Sequence, residues 1–197
     1  LACVAAGEVR DSLLASVSTE VGVPVFEAAT LSYACGLTNS YSEPSSMGVD
    51  RWLGMIGAQH HYPGGVVVVD AGTAVTVDYV SPDGNHLGGY ILPGLELMRR
   101  ALGTNTARVA PIGGDAPGAG PGQSTEACVE HGLGWLWSCA ARKLCHDRAY
   151  YGLRHLVITG GDASVIASLV ACPVSCEQDL VFLGMDQIFS PSGPYNI

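Results

Sequence analysis

The chemistry this sequence offers is concentrated in carboxylates and hydroxyls placed at chain turns. Asp70-Ala71-Gly72-Thr73-Ala74-Val75-Thr76-Val77-Asp78 directly follows the apolar run Val66-Val67-Val68-Val69. A buried strand that ends in a carboxylate, turns through a Gly-Thr corner and leaves as a second strand gathers a carboxylate, two hydroxyls and free turn N–H groups at one spot. That set suits a metal-bound polyphosphate, so ATP chemistry is expected. Gly72 can take positive φ and lets phosphate approach the backbone. Thr73 and Thr76 would donate to phosphate oxygens, and Asp70 would hold a cation directly or through water. The competing reading is an ordinary turn in which Asp70 only satisfies backbone N–H groups.

Four further segments carry candidate groups. Gly48-Val49-Asp50-Arg51-Trp52 sits at a loop-to-helix junction, where a carboxylate beside a guanidinium suits substrate hydroxyls and anions. Asp50 can take a proton from an attacking alcohol, and Arg51 can hold an anionic group or stabilise transferring phosphate. A helix cap with a surface ion pair is the plainer alternative. In His86-Leu87-Gly88-Gly89-Tyr90 the paired glycines predict close approach of a ligand or another backbone, and His86 reads first as a structural hydrogen-bonder. Gly122-Gln123-Ser124-Thr125-Glu126 offers a hydroxyl at a helix start, or a helix cap. Thr159-Gly160-Gly161-Asp162-Ala163 is a strand–Gly-Gly–helix junction that can lie flat against an adenine or ribose, or simply make a tight turn. There is no Walker A sequence and no GxGxxG after a strand.

The elements that must position these groups can be read in outline. Helices are expected over 11–21 (Leu13, Leu14 and Val17 on one face), 48–60 (Trp52, Leu53, Ile56 and Gly57 packed), from Pro93-Gly94 (Leu95, Met98 and Leu102 inward, Arg99 and Arg100 outward), from Ser124-Thr125 and over 163–171. In the long helix Cys128, Gly132, Leu136, Ala140 and Leu144 form the expected packed stripe. Strands are expected over 23–27, 66–70, 74–80, 86–91, 155–159 and 180–183, with 66–91 an antiparallel meander turning at Ser81-Pro82-Asp83-Gly84. Residues 37–47 read as a polar loop, and 111–122 as a mobile Gly-, Ala- and Pro-rich one. Helices alternate with strands in the second half, so the class is α/β.

Bulk properties narrow the function. The 197 residues are 48% hydrophobic and 14% charged, enough for a globular core. Net charge is −9 with only nine basic residues, which excludes a basic nucleic-acid footprint. No apolar run is long enough for a membrane span, and no leader pattern is evident. The seven cysteines include no CxxC. They read as reduced, packed side chains, which points to a cytoplasmic protein.

No single segment decides the function, but their order does. Asp-Arg-Trp, Asp-x-Gly-Thr-Ala-Val-Thr, His-Leu-Gly-Gly, Pro-Gly, Ser-Thr and Thr-Gly-Gly-Asp-Ala, in that order over essentially the whole chain, resemble the type III pantothenate kinases, a family that includes members labelled Baf-type accessory factors. The resemblance implies the ribonuclease-H-like fold of the sugar kinase, actin and chaperone ATPase superfamily. Residues 1–65 would be the remainder of an N-terminal domain with the substrate-binding loop, and 66–197 the C-terminal domain. It implies phosphorylation of pantothenate by ATP, the first step towards coenzyme A, with Mg²⁺ and a monovalent cation (K⁺ or NH₄⁺), in a homodimer. By position, Tyr41, Gly48, Val49, Asp50, Arg51 and Thr125 match substrate-binding residues, with Asp50 as proton acceptor. Asp70 matches the monovalent-cation ligand and Thr73 an ATP contact, with Gly72, Thr76, Gly160 and Gly161 as further expected ATP-site residues. The family opens with an Asp-x-Gly-Asn-Thr hairpin, and none precedes Asp70. This chain is therefore expected to lack the first strands of its N-terminal domain, to bind ATP weakly and to turn over slowly. The alternatives are a non-catalytic Baf-type regulator and a kinase of another small hydroxylated substrate. Retention of Asp50, Arg51, Asp70, Thr73 and Thr125 favours the pantothenate kinase.

Overall fold

The computed structural model describes residues 8–21, 25–105 and 120–195. In chain order the elements are α1 (Glu8–Val21), β1 (Tyr33–Ala34), β2 (Leu37–Thr38), a 3-10 turn (Pro44–Ser46), α2 (Val49–His61), β3 (Val66–Ala71), β4 (Ala74–Val80), β5 (His86–Pro93), α3 (Leu95–Asn105), α4 (Thr125–Tyr150), β6 (His155–Thr159), α5 (Ala163–Leu169), β7 (Ser175–Cys176) and α6 (Leu180–Ile188). The main sheet runs β5-β4-β3-β6-β7. β3, β4 and β5 form the antiparallel meander, and β6 and β7 continue the sheet parallel to β3. This is the ribonuclease-H-like arrangement that the resemblance implied.

The valine run explains the layering. In β3 successive side chains point to opposite faces, and both faces are covered, so every position from Val66 to Val69 is apolar and buried. Val66 and Val68 join α2 and α6 in one core, with Trp52, Leu53, Ile56, Leu180 and Ile188. Val67 and Val69 join α3, α4 and α5 in the other, with Leu95, Leu133, Trp137 and Ile166. On the first face α2 and α6 approach so closely that a Cβ on Gly184 would lie 2.0 Å from the Leu53 carbonyl oxygen.

Several expectations are corrected. Residues 180–183 are the first turn of α6, not a strand; the last strand is β7, upstream. Residues 25–27 are not strand, and 22–24 lie outside the described residues, as does most of the expected 111–122 loop. Residues 37–38 pair with 33–34 in a small hairpin whose corner places Cys35 and Gly36 at positive φ. In α1, Leu13 is exposed while Leu14 and Val17 are half-buried. The packed stripe of α4 is Leu133, Trp137, Ala141 and Leu144, whereas Leu136 is exposed. A strict spacing of four gains about 40° per step on a 3.6-residue helix and so walks off the core face. Leu102 is exposed. Arg99 points inward, forking onto Glu130 of α4 at 2.9 and 3.0 Å, while Arg100 is exposed beside Glu96. Cys145 and Cys172 form a disulfide between α4 and the loop after α5. Cys35, Cys128 and Cys176 are exposed rather than packed, so the cysteines no longer argue for a reducing compartment. No described helix is long and apolar enough to cross a membrane.

Candidate active site

Because β3 and β6 are parallel, their C-terminal ends share one edge of the sheet, and Asp70 sits opposite Thr159 in register. Gly160 follows Thr159 at φ +93, where a side chain is disfavoured. A Cβ there would lie 2.6 Å from both the Ala71 carbonyl oxygen and the Asp70 Oδ1. The Asp-x-Gly-Thr corner and the Thr-Gly-Gly junction, 90 residues apart in sequence between Asp70 and Gly160, are thus one surface. The junction is fixed by the Asp162 N–H donating to the Ala71 carbonyl at 3.0 Å. Gly72 does not use the positive φ open to it; the left-handed residue at this edge is Gly160. Gly94 N–H donates to the Thr73 carbonyl at 2.9 Å and ties the corner to the start of α3.

Asp50 lies in the first turn of α2, after the N-cap Gly48, and its Oδ1 accepts from the Arg51 N–H at 2.8 Å. A Cβ on Gly48 would stand 2.5 Å from that oxygen, so glycine here leaves room for the carboxylate. Burial first, and the negative charge of Asp50 second, push the Asp70 carboxyl above the ordinary aspartate range. The charges of the two acids therefore act on each other. The Asp70 side chain holds no hydrogen bond or ion pair with another described residue. A half-buried carboxylate without a counter-charge, pushed further by the charge of a second carboxylate, fits a bound cation.

Arg51 is committed to the protein. Only 8% exposed, it donates from Nε and Nη2 to the two oxygens of Asp78 at 2.9 and 2.5 Å, and from Nη1 to the Tyr41 hydroxyl at 2.9 Å. Burial opposes its charge, but the hydrogen bonds and charge of Asp78 outweigh that and raise its pKa. His86 completes the cluster through Nε2 to Asp78 Oδ1 at 3.0 Å and Nδ1 to Ser40 Oγ at 2.9 Å, the structural role expected of it. The close approach predicted by the paired glycines is to this cluster: a Cβ on Gly89 would lie 2.4 Å from Asp78 Oδ1. Sequence reasoning missed Asp78 as a partner. Its signal was an acid flanked by Val77 and Tyr79 in a buried strand, a position that demands a cation.

The remaining candidates are more open. The hydroxyls of Thr73, Thr76 and Thr125 are not engaged by other described residues, and Thr73 and Thr125 are exposed. Ser124, not Thr125, caps α4, accepting from the Ala127 N–H at 3.1 Å, which leaves Thr125 unoccupied on the first turn. Val49 is buried behind Asp50. Gly161 has nothing within 4 Å of its would-be Cβ and so presents an open backbone face.

Comparison with known proteins places the chain among relatives. The sequence model described as type III pantothenate kinase matches residues 1–147. The chain is 42% identical over 168 residues to the type III pantothenate kinase of Marinobacter nauticus, covering 85% of this chain and 69% of that protein. It is 35% identical over 194 residues to that of Chromohalobacter salexigens, covering 96% and 68%. Among solved structures, a conserved Baf family protein from Campylobacter jejuni superposes with TM-score 0.56 at 28% identity, over 78% of this chain and 68% of that one. The ethanolamine utilization protein EutJ from Carboxydothermus hydrogenoformans, with TM-score 0.50 at 13% identity over 90% and 71%, shares the fold alone. The chain belongs to the type III pantothenate kinase family.

Proposed function

We propose that this chain transfers the γ-phosphoryl group of ATP to the terminal hydroxyl of pantothenate, the first step towards coenzyme A. The observation that carries the reading is the charge coupling of Asp50 to Asp70, whose Oδ1 borders the Gly160 backbone. The hydroxyl oxygen forms the new bond to the γ-phosphorus, the bond from that phosphorus to the β-bridging oxygen breaks, and ADP leaves. Asp50 orients the hydroxyl and accepts its proton. Such a transfer needs alignment and charge neutralisation more than covalent help.

The resemblance supports the following roles for the other residues. Thr73 and Thr76 donate to phosphate oxygens, with Gly72, Gly160 and Gly161 offering backbone close to the nucleotide. Asp70 would hold a monovalent cation, K⁺ or NH₄⁺, and Mg²⁺ would accompany ATP; when bound, these cations supply the positive charge an acidic protein lacks near the phosphates. Tyr41, Gly48, Val49, Arg51 and Thr125 line the pantothenate pocket. Residues 1–65 are assigned to an N-terminal ribonuclease-H-like domain and 66–197 to the C-terminal one. A homodimer is supported by one face of α4, where His131, Trp135, Ser138 and Arg142 line a groove of about 570 Å³ and Trp135 is 70% exposed.

The test is ATP-to-pantothenate phosphate transfer, measured with and without K⁺ or NH₄⁺. Asp50→Asn is expected to abolish transfer while the variant still melts cooperatively near the wild-type temperature. Full rate in that variant would remove Asp50 from the role of base.

A further inference from the structure

Tyr41 and Asp50 belong to different segments, and one closed ring of side chains joins those segments to the sheet. It runs from Ser40 through His86, Asp78 and Arg51 to Tyr41, the chain neighbour of Ser40. Three members are buried: Asp78 is 1% exposed, His86 4% and Arg51 8%. The proton positions follow from what each group can do. Asp78 Oδ1 already accepts from Arg51 Nη2, so His86 Nε2 carries the hydrogen it gives to Asp78. In the neutral ring Nδ1 is then an acceptor, and Ser40 donates to it. At the other end, Arg51 donates to the Tyr41 oxygen, so Tyr41 keeps its own O–H hydrogen, which no described residue accepts. A phenol that accepts from a guanidinium is polarised into a stronger donor.

We infer that Asp78, His86 and Ser40 are positioning residues that hold Arg51 so that it aims the Tyr41 hydroxyl as a donor to a carbonyl or carboxylate oxygen of the alcohol substrate. The inference rests on the kinase reading and deepens it: Arg51 acts on the substrate chiefly through Tyr41, and selection of that oxygen depends on a pair anchored in β4 and β5. Gly89 makes room for the pair, since a Cβ there would also come 3.0 Å from Arg51 Nη2.

The experiment is a mutant cycle on the full chain, read by calorimetric binding of pantothenate and, separately, of ATP. Tyr41→Phe is expected to weaken pantothenate about tenfold, the scale of one charge-assisted hydrogen bond, with ATP affinity unchanged. Asp78→Asn should weaken it similarly, and the double variant should bind no worse than Tyr41→Phe alone. If Asp78→Asn fails to fold, His86→Gln and Ser40→Ala replace it in the cycle. Ser40 is exposed, so Ser40→Ala opens the ring without uncovering a buried charge, and a loss of about threefold is expected, absent on a Tyr41→Phe background. Losses that multiply across the cycle, or that fall equally on ATP, overturn the positioning role while leaving the kinase reading standing. No pantothenate binding by the wild-type chain removes the kinase reading and this inference with it.

Discussion

Replacing Gly160 by Ala tests whether the Asp70 corner and the Gly-Gly junction form one site. The residue sits at φ +93, a conformation that costs an L side chain about 1–2 kcal/mol. The added Cβ would lie 2.6 Å from the Ala71 carbonyl oxygen and 2.6 Å from Asp70 Oδ1. Neither neighbour yields easily: one is backbone in the central strand, and the other is the proposed cation ligand. Overpacking of this kind costs about 1–3 kcal/mol, so a total near 3 kcal/mol is expected. For a domain of this size that lowers Tm by roughly 6–12 °C. Because Asp70 must move, K⁺ should no longer raise Tm. Gly161→Ala is the matched control. Its Cβ meets nothing within 4 Å and its φ is not positive, so Tm should stay within about 2 °C, the scale of a neutral surface change. Differential scanning calorimetry of both variants, with and without KCl, reads the outcome. A Gly160→Ala protein that melts with the wild type and keeps its K⁺ response would refute the claim that Gly160 and Asp70 are packed together.

Four other outcomes are expected. The folded-state pKa of Asp70 is raised by burial and by Asp50, so its contribution to stability is fully present below the ordinary aspartate range and is lost as pH rises through the raised value. Asp70→Asn should therefore melt above the wild type at neutral pH, with the gap closing as pH falls below about 4; a gap that widens on acidification would contradict the assignment, and K⁺ should stabilise only the wild type. Gly184→Ala, whose Cβ would come 2.0 Å from the Leu53 carbonyl oxygen, should cost about 3 kcal/mol in urea unfolding by separating α6 from α2. Gly132→Ala, which meets nothing within 4 Å on α4, should instead gain about 0.5–1 kcal/mol from helix propensity. Trp135→Asp should shift sedimentation from dimer to monomer with little change in Tm; an unchanged dimer would place the contact elsewhere.

The parts legible in the sequence were those fixed by local pattern. The valine run, the Gly-Thr corner and the Ser81–Gly84 turn determine the meander because strand period and turn chemistry act over a few residues. The first turn of α2 was legible for the same reason. Leu180-Val181-Phe182-Leu183 was not, since four apolar residues fit a strand or a buried helix turn equally. What decides is Gly184, which lets α6 close onto α2 and continue to Ile188. Arg99 was placed outward because Glu130, on another helix, satisfies it from 31 residues away.

The same division runs through the site, and it bears on how the site stays in place. Asp50 and Asp70 were visible as motif residues, and the repulsion between their charges works against the fold. What keeps α2 seated despite that repulsion is invisible to local pattern: the pair between Arg51 and Asp78, 27 residues apart, and the contact of α2 with α6 through Gly184. Breaking such a buried pair leaves an uncompensated charge and costs about 3–5 kcal/mol, far more than an exposed one contributes. Arg51 follows Asp50 directly in sequence, so the anchor and the proposed base move as one. The residue that holds the first turn of α2 against the sheet is therefore the one that sets where the proposed base stands.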